Sequence, residues 1–345
     1  MKVSCIMANY NTDHELLLKA INSILTQSFR DFELIIVDDA STDDSLTILK
    51  NIQNENKNVR VLINKNNSGL AYSLNKAIRA ANGEYIARMD TDDISLPNRF
   101  EVQVNYLDKN RDIDICGSFA KVFGEYDYYS FNPFFSADDC KCHLLCSACL
   151  IHPTVMMRKK FIVDNQLFYN EKYRCSQDFE LWARCADVGK IEMIDQVLLL
   201  YRVHKGQISI QKKELQRNYA KEICRKQLAK LTDDITDDNM NTHLILCGHA
   251  AVDEANIKDV VIWISYVINL NLKTGIYKQR NLKIIMFNKL FNFVLKSEMP
   301  YKNKIKILLQ NKDLISIQNI YSLLYRAIFT IRNNMCKSDF DAAMN

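Results

Sequence analysis

Tyr85-Ile86-Ala87-Arg88-Met89-Asp90-Thr91-Asp92-Asp93 runs from an apolar, β-rich segment straight into three carboxylates. A strand that ends this way delivers its acids to the carboxyl edge of a sheet, where open α/β sheets bind ligands. Closely spaced carboxylates are hard oxygen donors suited to Mg²⁺ or Mn²⁺, ions normally shared with substrate phosphates. An acidic turn after a strand would look similar, since Asp is a common turn residue, so the surrounding chain has to decide.

Upstream, strand and helix patterns alternate. Residues 3–8 are apolar, and Leu17, Ala20, Ile21, Ile24 and Leu25 then recur at helical spacing. Residues 32–37 form a nearly continuous apolar run, as buried parallel strands do. That run ends in Asp38-Asp39-Ala40-Ser41, where Ser41 and Asp44 have the spacing of a helix N-terminal cap. Residues 59–63 read as a third strand. Leu70, Leu74, Ala77, Ile78 and Ala81 mark a third helix, with Gly83 in the place of a C-cap. Beyond the acids, Pro97 has the position of a first-turn proline opening a helix through Leu107. This alternation predicts a mostly parallel α/β sheet flanked by helices.

From residue 113 the pattern is mixed: 113–120 and 122–131 are β-like, 138–149 helical, 154–157 a strand, 179–188 a helix and 197–203 a strand. After 211 helical periodicity dominates. The expected organisation is therefore a catalytic domain over 1–210 and a helical region over 211–345. Apolar residues make up 48% of the chain and charged residues 25%, an ordinary globular composition. A net charge of only +4 does not mark the chain as a nucleic-acid binder. The opening apolar run is too short for a leader core and reads as a strand. Eleven cysteines then read as reduced thiols in a cytoplasmic protein. Cys146-x-x-Cys149, with Cys140, Cys142, His143 and His152 nearby, offers one zinc-like half-site where a structural zinc needs two, so buried free thiols are the expected reading.

Taken in order, these elements resemble a family 2 glycosyltransferase of the GT-A fold, of the bacterial surface-polysaccharide type. The resemblance is carried by residues 3–11, 23–29, 32–41, Asn67-Ser68-Gly69-Leu70, 83–93, Leu96-Pro97-Asn98-Arg99, His152-Pro153-Thr154, Gln177-Asp178-Phe179-Glu180-Leu181-Trp182 and Tyr201-Arg202-Val203-His204. It spans roughly the first 210 residues.

The resemblance implies transfer of a sugar from a nucleotide-diphosphate donor, uridine being the expected base, to a glycan or lipid-linked acceptor. Asp90-Thr91-Asp92 corresponds to the D-x-D motif, with Asp92 contacting Mn²⁺ or Mg²⁺, Asp90 holding the ribose or the metal's waters, Asp93 in reserve and His204 completing the site. Asp39 would accept from the base, supported by Asp38 and Ser41. Ala8, Asn9, Tyr10 and Asn11 would line the same pocket, with Asn67, Gly69, Asn75 and Arg88 further candidates. Asp178 takes the position of the general base; Gln177 departs from the acidic residue usual there, and Trp182 is expected in the core. A single base implies one displacement with inversion. A nucleotidyltransferase would want a basic, glycine-rich loop after the first strand, which Asn9-Tyr10-Asn11-Thr12 does not provide. A catalytically silent relative is opposed by intact Asp39, Asp92 and Asp178.

Between 277 and 337, 12 Lys/Arg stand against Glu298 and Asp313. Apolar and basic residues alternate there, as in 284–287, 302–308 and 328–332. That predicts either peripheral contact of 278–337 with the anionic cytoplasmic face of the inner membrane, or a helical appendage that solvates its lysines.

Overall fold

The structure, a computed structural model, describes residues 1–130, 136–204, 212–250 and 257–311. Four strands, β1 (Val3–Asn9), β2 (Phe32–Asp38), β3 (Val59–Ile63) and β4 (Tyr85–Arg88), pair in parallel in the order β3-β2-β1-β4. All seven residues of β2 are buried, which is why its sequence shows no alternation. The register sets Asn9 beside Asp38 and Ile6 beside Arg88. One edge of the sheet therefore receives residues 9–11, 38–41 and 90–93 together.

The connecting helices are α1 (His14–Leu25), α2 (Ser45–Glu55) and α3 (Leu70–Ala80). In α1, Leu17, Ala20, Ile21 and Ile24 are the buried residues, and they fall at the i, i+3, i+4, i+7 spacing of an amphipathic helix. Burial of each Leu or Ile contributes roughly 1.5–3 kcal/mol. Asp13 caps α1 by accepting from the Glu15 and Leu16 N–H groups.

Past β4 the sheet becomes mixed. β8 (Met156–Arg158) runs antiparallel to β4 and to β6 (Ile115–Gly124). β9 (Ile191–Val203) lies parallel to β6, while β5 (Ile94–Ser95) is antiparallel to β9 and β7 (Tyr128–Ser130) to β6. The strands expected over 113–120 and 122–131 are largely one continuous strand followed by a hairpin.

Three local expectations are corrected. The Ser41 hydroxyl donates to Asp38 at 2.6 Å, whereas α2 begins at Ser45 behind Asp44, which makes no side-chain cap. Gly83 lies beyond the end of α3, whose cap is Ala81. An added Cβ at Gly83 would stand 2.5 Å from the Ser4 nitrogen, so this glycine serves close approach to β1. Pro97 closes the preceding turn by accepting from the Ser28 N–H, and α4 (Arg99–Lys109) starts behind Asn98.

The described chain divides into two compact units, residues 1–130 with 150–204, and residues 136–149 with 212–311. The grouping of 136–149 with the later helices was not anticipated. Within the second unit, α5 (Ala137–His143) leads into a buried turn, Leu145 and Cys146, whose carbonyls need partners. His243 meets the Leu145 carbonyl at 2.9 Å, His249 meets that of Cys146 at 2.9 Å, and Cys224 donates to the latter. Cys146, His243 and Cys247 do come together, although Cys146 is not joined by its sequence neighbours. Trp263 Nε1 donates to His243 Nδ1 at 3.1 Å. Indole is a donor only, so Nε2 carries the imidazole proton and is aimed at the Leu145 carbonyl. The ring thereby partners the backbone of the turn that follows α5, with Cys247 Sγ 3.4 Å from the same nitrogen.

The remaining helices of this unit are α8 (Lys213–Leu228), α9 (Asp237–Cys247), α10 (Ile257–Thr274), α11 (Gln279–Lys296) and α12 (Tyr301–Gln310), numbered after α6 (Lys159–Asp164) and α7 (Gln177–Val188). Ile284, Ile285, Met286 and Phe287 are buried in α11. These four therefore cannot insert into a membrane surface as the sequence allowed. In α12 no residue is buried, and Tyr301, Ile305 and Leu309 form an exposed stripe. Residues 328–332 lie outside the described residues. No helix among those described is long and apolar enough to cross a membrane.

Candidate active site

One half of the candidate site is built from the ends of β1, β2 and β3. Asp38 is fully buried and spends its carboxylate on Asn9 Nδ2 (3.0 Å), the Ser41 hydroxyl and the Ser41 N–H. It is a support beneath the edge, not a surface for ligand. Above it, Asn11 and Ala40 hold left-handed backbone, φ +48° and +60°, a conformation that non-glycine residues adopt at a cost of about 1–3 kcal/mol. The two loops are joined by the Asn11 N–H to Ser41 and by the Thr42 N–H to Asn11 Oδ1, at 3.1 and 2.8 Å. Ala8 is half-buried, Tyr10 is exposed, and Asn9 Oδ1 is buried with no hydrogen-bond partner.

Asp39 accepts from Asn64 Nδ2 (2.7 Å), the Ser68 N–H (2.9 Å) and the Gly69 N–H (2.7 Å). It thereby fixes the turn that starts α3. Gly69 has φ +92°, and a Cβ there would stand 2.9 Å from the Arg174 guanidinium. Asn67 is exposed, and the amide that meets Asp39 is Asn64 instead. Asn64 sits one residue past β3, a strand-end position that the sequence alone did display. Asp39→Ala should strand two backbone N–H groups and lower unfolding free energy by about 1–3 kcal/mol, measurable as a shift in urea midpoint.

The acidic half lies at the end of β4. Oxygens of Asp90, Asp92 and Asp93 all fall within 4.8 Å of one another. Asp90 ion-pairs with Arg88, a buried guanidinium that emerges from the strand itself. Arg88 is thus the internal counterion of Asp90 rather than an open ligand contact. Beneath it, buried Arg99 donates to the Arg88 carbonyl at 2.7 Å, and burial holds its guanidinium down at about 10. Asp92 meets His204 Nε2 at 3.0 Å. Asp93 accepts the Arg202 N–H at 2.8 Å, while Arg202 Nε donates to the Asp92 carbonyl at 2.9 Å. Arg202 near the end of β9 and His204 just beyond it therefore orient two successive acids, a relation invisible in sequence.

Asp93, the reserve residue, proves to be an integral member of the cluster. Its Oδ2 is buried without a hydrogen-bond partner. Burial and the charges of its neighbours raise its proton affinity well above the ordinary carboxylate range, and burial also raises that of Asp90 against the pull of Arg88. Three carboxylates with one buried cation and one orphaned oxygen lack positive charge. Their hard oxygen donors fit a divalent ion, which would relieve both.

Asp178 enters from α7, behind Ser176 at φ +56°. It is half-buried, and desolvation raises its proton affinity, opposed by the Phe179 N–H and by Arg88. Its charge in turn disfavours ionisation of Asp90, so Asp178 and the acidic cluster share one electrostatic environment. Asn75 holds the approach to this helix: its amide pairs with the N–H and carbonyl of Tyr169, at 2.8 and 2.9 Å. That is a structural role. Trp182 is fully buried and edge-on to His152, part of the core as expected. Gln177 is buried, next to Asp178 in the chain, with Oε1 unpartnered.

The family model described as glycosyl transferase family 2 matches residues 4–177. An uncharacterized glycosyltransferase of Methanocaldococcus jannaschii is 36% identical over 206 residues, covering 58% of this chain and 70% of that protein. The Escherichia coli UDP-Glc:alpha-D-GlcNAc-diphosphoundecaprenol beta-1,3-glucosyltransferase WfaP is 30% identical over 219 residues, covering 62% and 83%. Among solved structures, S. aureus TarS 1–349 in complex with UDP-GlcNAc superimposes with a TM-score of 0.56 at 18% identity, covering 97% of this chain and 92% of that one. This last likeness is one of fold.

Proposed function

The chain belongs to glycosyl transferase family 2 and is a glycosyltransferase, and from that premise we propose an inverting, metal-dependent enzyme. It moves a sugar from a nucleotide-diphosphate donor, uridine-linked, to a hydroxyl of a glycan or lipid-linked acceptor in surface-polysaccharide synthesis. The observation that carries this reading is the gathering of Asp90, Asp92 and Asp93 at the carboxyl end of β4, with Asp178 close enough for its charge to bear on Asp90. Uridine and a lipid-linked acceptor are supported by the donor and acceptor named for the similar E. coli enzyme.

In this mechanism Asp39 has one acceptor position left after Asn64, Ser68 and Gly69 are served, and it takes the uracil imide N–H. Ala8, Asn9, Tyr10 and Asn11 line the base pocket, and Asp90 faces the ribose. Asp92 and Asp93, with His204 oriented on Asp92, are the residues that would hold Mn²⁺ or Mg²⁺. Such an ion supplies Lewis-acid neutralisation of the departing diphosphate. Asp178 takes the proton of the acceptor hydroxyl as its oxygen attacks the anomeric carbon. The new C–O bond forms as the bond to the diphosphate breaks, and Asp178 is left protonated. One displacement converts an α-linked donor into a β-linked product. Calorimetric titration tests the donor half: UDP should bind with Mn²⁺ present and lose at least tenfold in affinity under EDTA. Equal affinity under both conditions would oppose metal dependence.

The same proposal places the enzyme in the cytoplasm, in peripheral contact with an anionic leaflet. Support comes from α12, whose exposed Tyr301, Ile305 and Leu309 recur every fourth residue beside Lys302, Lys304 and Lys306. A chain truncated after Glu298 keeps α11 intact and should pass from the membrane to the soluble fraction. An unchanged distribution would remove this part of the reading.

A further inference from the structure

Two tyrosines in the β6–β7 hairpin are left uncovered, Tyr126 at 59% exposure and Tyr128 at 53%. Two residues apart in the chain, they offer apolar ring faces with polar hydroxyl ends to the surroundings. The hairpin is tied to the acidic site through one residue. Val203 pairs with Gly124, whose φ of +103° lets its backbone press against the Val203 carbonyl, and that carbonyl accepts the Glu125 N–H at 3.0 Å. On either side of Val203, Arg202 donates to Asp93 and His204 meets Asp92. The tyrosine hairpin is thus braced against the residues that orient the acidic cluster.

Strand order decides which substrate it serves. Asp39 and residues 9–11 lie on the β2–β1 side of β4, whereas β6, β7 and β9 lie on the other side. A donor spanning Asp39 and the acids occupies the first side, so the second is left for the molecule that attacks. Resting on the function proposed above, we infer that Tyr126 and Tyr128 form a stacking shelf for the sugar rings of the acceptor glycan. A pyranose presents a face of axial C–H groups, slightly positive, to the negative face of an aromatic ring, while the phenol hydroxyl reaches the ring hydroxyls. Two rigid tyrosines give such contact with little loss of side-chain entropy. Asp127 between them offers acceptor oxygens for hydroxyl groups.

The test uses the full-length protein with Mg²⁺ and UDP, and cellotriose and chitotriose as probes, observed by saturation-transfer NMR. The shelf reads ring faces rather than linkage, so transfer to the pyranose C–H protons is expected with at least one trisaccharide. Tyr126→Ala/Tyr128→Ala should weaken it by about tenfold or more, and Tyr126→Phe/Tyr128→Phe should restore most of it. UDP affinity should not change in either variant. Absence of transfer to both sugars, or transfer that survives the alanine pair, overturns the shelf. So does loss of sedimentation with phosphatidylglycerol vesicles in the alanine pair with sugar contact unchanged, which would make the tyrosines a lipid contact. Failure of the wild-type protein to bind UDP would instead count against the donor site, and is read separately.

Discussion

Asp178→Asn is expected to lower kcat for transfer by roughly 10²–10⁴-fold, the usual contribution of a positioned general base. UDP affinity should stay within about twofold, since the substitution is nearly isosteric and touches no donor contact. Ser176 in left-handed backbone and the Phe179 N–H hold the residue in place, so the asparagine should occupy the same position. The pH dependence follows from the environment of the carboxyl. Only the ionised form accepts a proton, and burial raises its pKa above the usual aspartate value near 3.8. The acid limb of the kcat/KM profile should therefore lie above the ordinary aspartate range, with activity falling as pH drops through that limb. In the asparagine variant the residual rate should lose this limb. A variant that keeps wild-type kcat would remove Asp178 from the chemistry.

Asp92→Ala should lower kcat/KM by roughly 10³-fold, because transition-state charge on the diphosphate is worth several kcal/mol and each 1.36 kcal/mol is a factor of ten. The substitution removes one oxygen donor and the carboxylate that His204 meets at 3.0 Å. The dependence of UDP affinity on Mn²⁺ should weaken in parallel, which separates loss of the ion from loss of the fold. Circular dichroism should be unchanged, since the Asp92 side chain makes no backbone contact comparable to that of Asp93 with Arg202. Asp92→Ala with full Mn²⁺-dependent binding would assign the ion to other residues.

Much of this site was legible because local sequence determines it. The buried parallel strands, the helical stripe of Leu17, Ala20, Ile21 and Ile24, and the acids at the end of β4 each follow from a periodicity or a short motif. What escaped depends on distant partners. The backbone of Arg202 sets Asp93 from 109 positions away, and Asn64 rather than Asn67 meets Asp39 because β3 ends there. Ser41 has the composition of a helix cap, yet its hydroxyl is drawn to a buried carboxylate, a stronger acceptor than a solvated helix end. Gly83 resembles a helix terminator, while its actual constraint is the Ser4 backbone against which it packs. Residues 136–149 group with helices after 212 because His243, His249 and Cys224 supply partners for the carbonyls of Leu145 and Cys146. The basic tail was ambiguous in sequence because a packed helix and an interfacial one share the same alternation. Burial separates them, enclosing Ile284 to Phe287 and leaving Tyr301, Ile305 and Leu309 exposed.

The most direct measurement is donor turnover by the purified full-length protein across UDP-, GDP- and dTDP-sugars, with Mn²⁺ or EDTA, in the presence of lipid-linked acceptor extracted from membranes. A UDP-sugar should be consumed only with the ion, and its sugar should appear on the acceptor in β linkage. Metal-independent consumption, an α-linked product, or UDP binding without turnover of any donor would contradict it.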